Sequence, residues 1–453
     1  MATRKRHGTR MTGVLIGDEQ GLGKSVQALT VCETANLWPV IAIVPTSVRV
    51  NWQRELKKWL PHRTSFIVYG TDTMILIPSV DMLIFGWDTI YAWANTIDTP
   101  RALIIDEAQY AKSGDARRTQ AVLRLADRCY DANSPVISLT GTPILNRATE
   151  WIAQLRLLNR LEEFGGATQL RKDFKNRDLL PTLNRAIRAK CYVRRLKIDV
   201  MKDLPPKRYV QVSLPVDPVA MIEYRRAETN IVTYLANLAR QAAINSGATT
   251  DEARQRASEV ALRAAAGQQL VAITALRQLA VKVKLPAVEA WIKDFKQSGE
   301  KVVVFCWHRG IVEMLSERFA GGLKIYGGMS DADKQHAIDT FQTDPIQQVL
   351  VCSMKAAGVG ITLTASSNVV FVEHGWNPPD EDQAADRCHR IGQTDSVTVY
   401  SLDAEGTIDV DMSELIADKR QEVNAATDGD RVADTESHSV LADLVVRLAA
   451  KGT

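Results

Sequence analysis

Short apolar runs recur along the first third of the chain: Val14 to Ile16, Val40 to Val44, Phe66 to Tyr69, Met82 to Phe85, Leu103 to Ile105 and Val136 to Leu139. Each run is continuous rather than alternating, which marks strands covered on both faces, and helix-like stretches separate them. The pattern predicts a parallel sheet with helices on either side. A second series begins at Val302 to Phe305 and continues through Val349 to Cys352, Val369 to Val372 and Val397 to Tyr400. The expected fold class is α/β, with two lobes of one plan. Between them, Val219 to Leu285 holds no proline and only Gly247 and Gly267 as glycines, and its alanine and arginine content favours helix. Asn245-Ser246-Gly247 would turn this insertion, and Thr249 with Glu252 fits a capping box for the returning helix. Its arginines read as a solvated face or a DNA groove, which helical periodicity cannot separate. Beyond Asp403 the chain becomes charged, with a helix expected near Asp409 to Val423 and a loose connection near Ala425 to Ser437. The expected divisions are a first lobe over 1–208, a helical protrusion and linker over 209–285, a second lobe over 286–410, and a C-terminal helix and tail over 411–453.

Composition changes this picture little. With 453 residues, 45% hydrophobic and 24% charged, the chain has room for two or three ordinary globular domains and is neither disordered nor collagen-like. Its apolar runs fall short of the roughly 18 residues of a membrane span. The basic N-terminus runs into Asp18-Glu19 after a short apolar stretch, which does not fit a signal peptide. Six scattered cysteines form no C-x-x-C pair, so no disulfide framework or structural zinc is expected, and a reducing compartment, the cytoplasm, fits. Lys plus Arg exceed Asp plus Glu by 56 to 53, so a nucleic-acid partner would be held by local patches.

Candidate chemistry follows strand ends. After Val14 to Ile16 come Asp18-Glu19-Gln20-Gly21-Leu22-Gly23-Lys24-Ser25 and a helix-compatible run. Strand, glycine loop and helix form a phosphate cradle: Gly21 and Gly23 let N–H groups turn inward, Lys24 supplies a point charge and Ser25 can bind Mg²⁺. The strict phosphate-loop pattern wants glycine where Asp18 stands, so a plain glycine turn is the alternative. Leu103-Ile104-Ile105 ends in Asp106 and Glu107, which could hold Mg²⁺ and orient the attacking water; an acid pair capping a surface turn is the alternative. Thr46 and Ser47, and Thr142 in Thr140-Gly141-Thr142-Pro143, are small hydroxyl residues that can bind backbone phosphates or cap helices. Trp52 and Trp59 read as packing rather than base stacking. In the second lobe, Ser353 and Lys355 precede the loop carrying Gly358 and Gly360, and Gln383 precedes Arg387 and Arg390. Those two arginines, three apart on one expected helix face, could neutralise charge on a transferred phosphoryl group; a solvated charged helix is the alternative.

Taken in order, these segments resemble the Swi/Snf-related ATPases of helicase superfamily two, from about Gly13 to about Val423. The most specific match is Asp386-Arg387-Cys388-His389-Arg390-Ile391-Gly392-Gln393, supported by the phosphate loop, Leu139-Thr140-Gly141-Thr142-Pro143, the segment Arg194-Arg195 to Leu204-Pro205-Pro206-Lys207, and the Gly358 and Gly360 loop. The resemblance implies two RecA-like lobes, ATP in the cleft between them and DNA across both on another face. It assigns Asp18, Gly21, Leu22, Gly23, Lys24, Ser25 and Gly360 to ATP, and Ser25 and Asp106 to Mg²⁺. It makes Lys24, Glu107, Gln383, Arg387 and Arg390 catalytic. Thr46, Ser47, Thr142, Ser353 and Lys355 would contact DNA. The implied activity is DNA-dependent ATP hydrolysis coupled to lobe closure and tracking along duplex or forked DNA. The wording of two loops looks most like the HepA-related annealing helicases, which rewind DNA.

Two departures bear on this. Gln109 stands where the family usually has histidine, so coupling between nucleotide and DNA could differ. Only 13 residues precede Val14, so the upstream segment that reads adenine is expected from another chain or a longer protein, or base selectivity is relaxed. No chromatin-reading module is visible, which favours a bare bacterial or viral motor with a possible partner protein for targeting. A strand-separating helicase of the same superfamily and a hydrolysis-deficient DNA-binding regulator remain the competing readings.

Overall fold

The computed structural model describes residues 12–112, 114, 116–143, 150–174, 179–247, 250–354, 361–428 and 440–451. The chain divides into two compact units. One lies within Met1–Lys202 joined by Val423–Glu436, the other within Asp203–Glu422 and Ser437–Thr453.

The first unit is built on seven parallel strands: β1 (Val14–Ile16), β2 (Val40–Val44), β3 (Ser65–Ile67), β4 (Met82–Gly86), β5 (Ala102–Asp106), β6 (Val136–Leu139) and β7 (Tyr192–Val193), in the order β3-β4-β2-β5-β6-β1-β7. Six are the predicted runs. The seventh has two residues, too few to show a pattern, and pairs Leu15 with Tyr192 and Ile16 with Val193. Every residue of β2 and β6 is buried, as continuous apolar character requires when helices cover both faces. A core around Ile43, Phe85, Trp87, Trp93, Leu103, Ile105 and Leu125 fills one such interface. Register matters most for function: Ile16 pairs with Leu139 and Leu139 with Asp106, so β1, β6 and β5 end level. The residues that follow those three strands therefore emerge along one edge of the sheet.

The second unit carries six parallel strands: β8 (Lys207–Leu214), β9 (Val302–Cys306), β10 (Lys324–Ile325), β11 (Val349–Ser353), β12 (Asn368–Phe371) and β13 (Val397–Ala404), ordered β10-β11-β9-β12-β13-β8. Strand β8 corrects the sequence-based division at 208 and 209, because Lys207 to Leu214 pair along their whole length with Val397 to Ala404. Only one of its eight residues is buried, so it lacks the apolar run that revealed the others. The expected helical insertion is a pair, Pro218–Asn245 and Asp251–Lys296, and it belongs to the second unit. Its second helix passes the expected end at 285 and runs through Pro286. Burial of Val281, Val288 and Ile292 in the second-lobe core overrides the local cost of the proline. Thr250 caps that helix by accepting from the Ala253 N–H; Thr249 lies outside the described residues. Arg277 is buried at 4% exposure, so not every arginine of the pair is solvated.

The tail also differs. Its first helix, Ile408–Asp428, extends into the segment expected to be loose, and a further helix, Val440–Ala450, buries Leu444, Val445 and Leu448 against the helical pair. Those positions have helical spacing and were legible. No helix among the described residues is long and apolar enough to cross a membrane. The six cysteines are buried free thiols.

Candidate functional site

The glycine loop joins β1 to the helix Lys24–Thr34. Gly21 and Gly23 adopt φ of 88° and 74°, the left-handed region that glycine enters without strain. Gly23 stands at the cap position of the helix with no side-chain capping bond, and a Cβ there would meet nothing within 4 Å. The first turn of the helix thus presents backbone donors, as an anion cradle requires. Lys24 Nζ donates to the carbonyls of Asp18, at 2.8 Å, and Glu19, at 3.4 Å. Burial pushes its ammonium down to about 8, against the pull of Glu107 and Asp106. Ser25 is the next residue of the same turn.

Asp18 is placed otherwise than the resemblance implies. Its side chain is fully buried, and its carboxylate accepts from Arg195 Nε at 3.0 Å, the Arg195 N–H at 2.9 Å and Gln27 Nε2 at 2.9 Å. A carboxylate so engaged does not bind phosphate; the residue contributes its backbone carbonyl to Lys24. The position that departs from the strict glycine pattern is therefore a structural anchor.

At the end of β5, Asp106 Oδ2 accepts the Trp52 indole N–H at 2.8 Å, and Oδ1 accepts the Glu107 N–H at 3.0 Å. Trp52, 1% exposed, is thus packing with a purpose that sequence reasoning missed. Burial, then the Glu107 charge, raise the Asp106 pKa well above the usual carboxylate range, while Trp52 and Lys24 oppose the rise. Two adjacent acids in a partly buried site form a hard-oxygen set that a divalent cation would relieve, and Ser25 adds a hydroxyl of the kind Mg²⁺ accepts. Glu107 holds φ of 51°, unusual for a residue with a side chain, and Gln109 Nε2 donates to its Oε2 at 2.6 Å. Glutamine in place of the usual histidine keeps Glu107 oriented by a neutral amide. The reading as an acid pair on a surface turn does not hold.

Among the expected DNA contacts, Thr46 and Ser47 follow β2, are exposed, and cap neither helix they adjoin. Thr46 Oγ1 donates to Asp88 at 3.3 Å, and Gly86 has no room for a Cβ beside it. Thr142 is partly buried, its N–H donating to Thr140 Oγ1. Ser353 ends β11 at only 8% exposure. Lys355 and Gly360 lie outside the described residues. Trp59 is half exposed and donates to Glu55.

In the second unit, Gln383 lies on the helix Pro378–Ala385. That helix ends before Arg387 and Arg390, so the two arginines do not share a helix face. They sit in the turn that follows, closed by Arg387 N–H to Ala384 and Gln393 N–H to Arg390 bonds. Buried polar groups explain the early stop. Asp386 takes the Lys207 ammonium at 2.8 Å, His389 Nε2 meets the Pro205 carbonyl at 2.6 Å, and Gln393 Nε2 donates to the carbonyls of Ser366 and Cys388. Arg387 is 2% exposed, whereas Arg390 is partly buried and bonds the Asp386 carbonyl and Thr362 Oγ1.

A glycine loop at a helix start, an acid pair level with it on the same parallel sheet, and a second parallel-sheet lobe bearing an arginine turn define a helicase-like phosphate-loop protein. A family model described as "SNF2-related domain" matches residues 3–280, and one described as "Helicase conserved C-terminal domain" matches 283–392. The chain belongs to the SNF2-related family, whose members are DNA-dependent ATPases. The "DNA annealing helicase and endonuclease ZRANB3" of Mus musculus is 29% identical over 447 residues, 92% of this chain and 39% of the relative. The "SWI/SNF-related matrix-associated actin-dependent regulator of chromatin subfamily A-like protein 1 homolog" of Caenorhabditis elegans is 31% identical over 452 residues, 93% of this chain and 61% of the relative. The chain thus spans less than two thirds of these relatives. A solved structure, "Sulfolobus solfataricus SWI2/SNF2 ATPase core in complex with dsDNA", is 24% identical with a TM-score of 0.40, covering 93% of this chain and 90% of that one.

Proposed function

We propose that this chain hydrolyses ATP in response to DNA and uses the cycle to track along duplex or forked DNA. The observation that carries the reading is the level ending of β1 and β5 through β6, which brings the phosphate loop and the acid pair to one sheet edge. Lys24 would leave the Asp18 and Glu19 carbonyls to meet the β and γ phosphates, and the backbone donors around Gly21, Leu22 and Gly23 would hold phosphate oxygens. Ser25 and Asp106 would hold Mg²⁺, which supplies charge neutralisation at the phosphates when bound. Glu107, held by Gln109, is the group placed to orient and deprotonate water. Gln383, Arg387 and Arg390 are the second unit's catalytic candidates, Arg390 being the less buried arginine. Thr46, Ser47 and Thr142 would contact the DNA backbone. A family resemblance to a relative named as an annealing helicase supports rewinding over strand separation.

The test is ATP-driven displacement of a third strand from a triplex, run beside displacement of a strand from a tailed duplex. Triplex displacement with no duplex unwinding is the expected result. Unwinding of the tailed duplex would replace this reading with a strand-separating helicase, and loss of neither strand would remove directional movement.

A further inference from the structure

The stretch from Arg194 to Lys207 is bound at both ends, and each end holds a loop already described. At the first end, Arg194 Nη1 donates to the carbonyls of Gly17, at 2.8 Å, and Gly141, at 2.9 Å. Arg195 grips the buried Asp18 carboxylate through its backbone N–H and guanidinium and reaches Gln27 Oε1 at 2.8 Å. The Glu19 N–H donates to the Arg195 carbonyl, and the Lys197 N–H to Glu19 Oε2 at 2.7 Å. At the other end, the Pro205 carbonyl receives His389, and Lys207 pairs with Asp386. Burial alone would lower the Lys207 pKa, but Asp386, Tyr209 and Asp382 hold it well above its ordinary value. Between the anchors lie one helical turn, Lys197–Val200, and a few residues up to Leu204.

A passive linker needs no such anchors, since chain between lobes is ordinarily exposed and crossed by few contacts. The choice of anchors points further. Asp18 and Glu19, whose side chains hold the strap, are the residues whose carbonyls hold the Lys24 ammonium. A triphosphate would compete for that ammonium, releasing both carbonyls and freeing the loop to shift with the strap attached. We propose that residues 194–207 transmit nucleotide occupancy from the phosphate loop to the arginine turn, with Arg195 and Lys207 as positioning residues. Coupling of this kind needs one element whose arrangement both sites bias, and a short strap pinned at two reactive loops is such an element.

The proposal rests on the nucleotide reading above, and its test separates the two. Amide hydrogen exchange is followed in the full chain with and without a slowly hydrolysed ATP analogue and Mg²⁺. Two variants accompany it: one with Gly-Ser-Gly-Ser inserted between Lys202 and Asp203, and Arg195→Gln, which removes the guanidinium grip on Asp18 and Gln27 without changing the length. In the parent, nucleotide is expected to slow exchange over residues 15–27 and to change it over 203–214. In either variant the response over 15–27 persists and that over 203–214 is lost. An equal response over 203–214 in parent and variants, or none in the parent, overturns the strap. No response over 15–27 in the parent removes the nucleotide reading and the strap with it.

Discussion

The phosphate loop and the arginine turn are the two most recognisable segments of this chain, and they are built in opposite ways. The phosphate loop holds its donors in reserve. Gly23 leaves the first helical turn without a side-chain cap, and among the described residues Lys24 donates to two backbone carbonyls that an anion can displace. The arginine turn spends most of its polar residues on the fold: Asp386 on Lys207, His389 on Pro205, and Gln393 on three carbonyls. A recognisable string of residues can thus be mostly reagent or mostly scaffold. Asp18 shows the same division inside the phosphate loop, being a buried anchor amid groups left open.

The contrast is broken most sharply by comparing activity with stability. Lys24→Ala should lower the ATPase kcat by at least about 10²-fold while leaving the urea midpoint unchanged, because a group reserved for phosphate contributes little to the fold. Asp386→Ala should do the reverse, costing about 2 kcal/mol of second-unit stability in urea unfolding, since it takes the charged partner from the partly buried Lys207 ammonium. Equal losses of stability in both would erase the distinction. Next in size is a pH effect. His374 lies between Glu381, at 3.0 Å, and Asp403, at 2.7 Å; burial opposes its charge, but the two carboxylates raise its pKa to about 10. A raised folded-state value means the stabilisation is complete below about 6.5 and is lost as pH rises through 10. Stability should therefore fall above pH 6.5 by at most about 1.4 kcal/mol per unit, and His374→Gln should flatten the slope. Smallest is Trp52→Phe, expected to cost about 1 kcal/mol. It also removes a bond that lowers the Asp106 pKa, so the acid limb of kcat/KM should move to higher pH.

Legibility in the sequence followed burial. Strands covered on both faces, such as Val40–Val44, announced themselves as apolar runs, while the edge strand Lys207–Leu214, with one buried residue, read as linker. Local strength misled in the other direction at Pro286, where packing carried the helix past a residue that ends most helices. Candidate site residues adjacent in sequence stand out because the proposed chemistry needs them in one loop: Gly21, Gly23, Lys24 and Ser25, or Asp106 and Glu107. Their supports were not. Trp52 reaches Asp106, and Arg195 reaches Asp18, across distances in sequence that no local pattern spans. The Arg387 and Arg390 spacing suggested a helix face because the partners that end the helix at Ala385 lie far away in sequence, at Pro205 and Lys207.

The most direct test of the account is steady-state ATP hydrolysis by the full chain with no DNA, single-stranded DNA, duplex DNA and a forked junction, with Lys24→Ala and Arg390→Ala alongside. Turnover stimulated by duplex or forked DNA, and lost in both variants, is the predicted result. A folded chain whose turnover ignores all three DNAs, or survives loss of either residue, would contradict it.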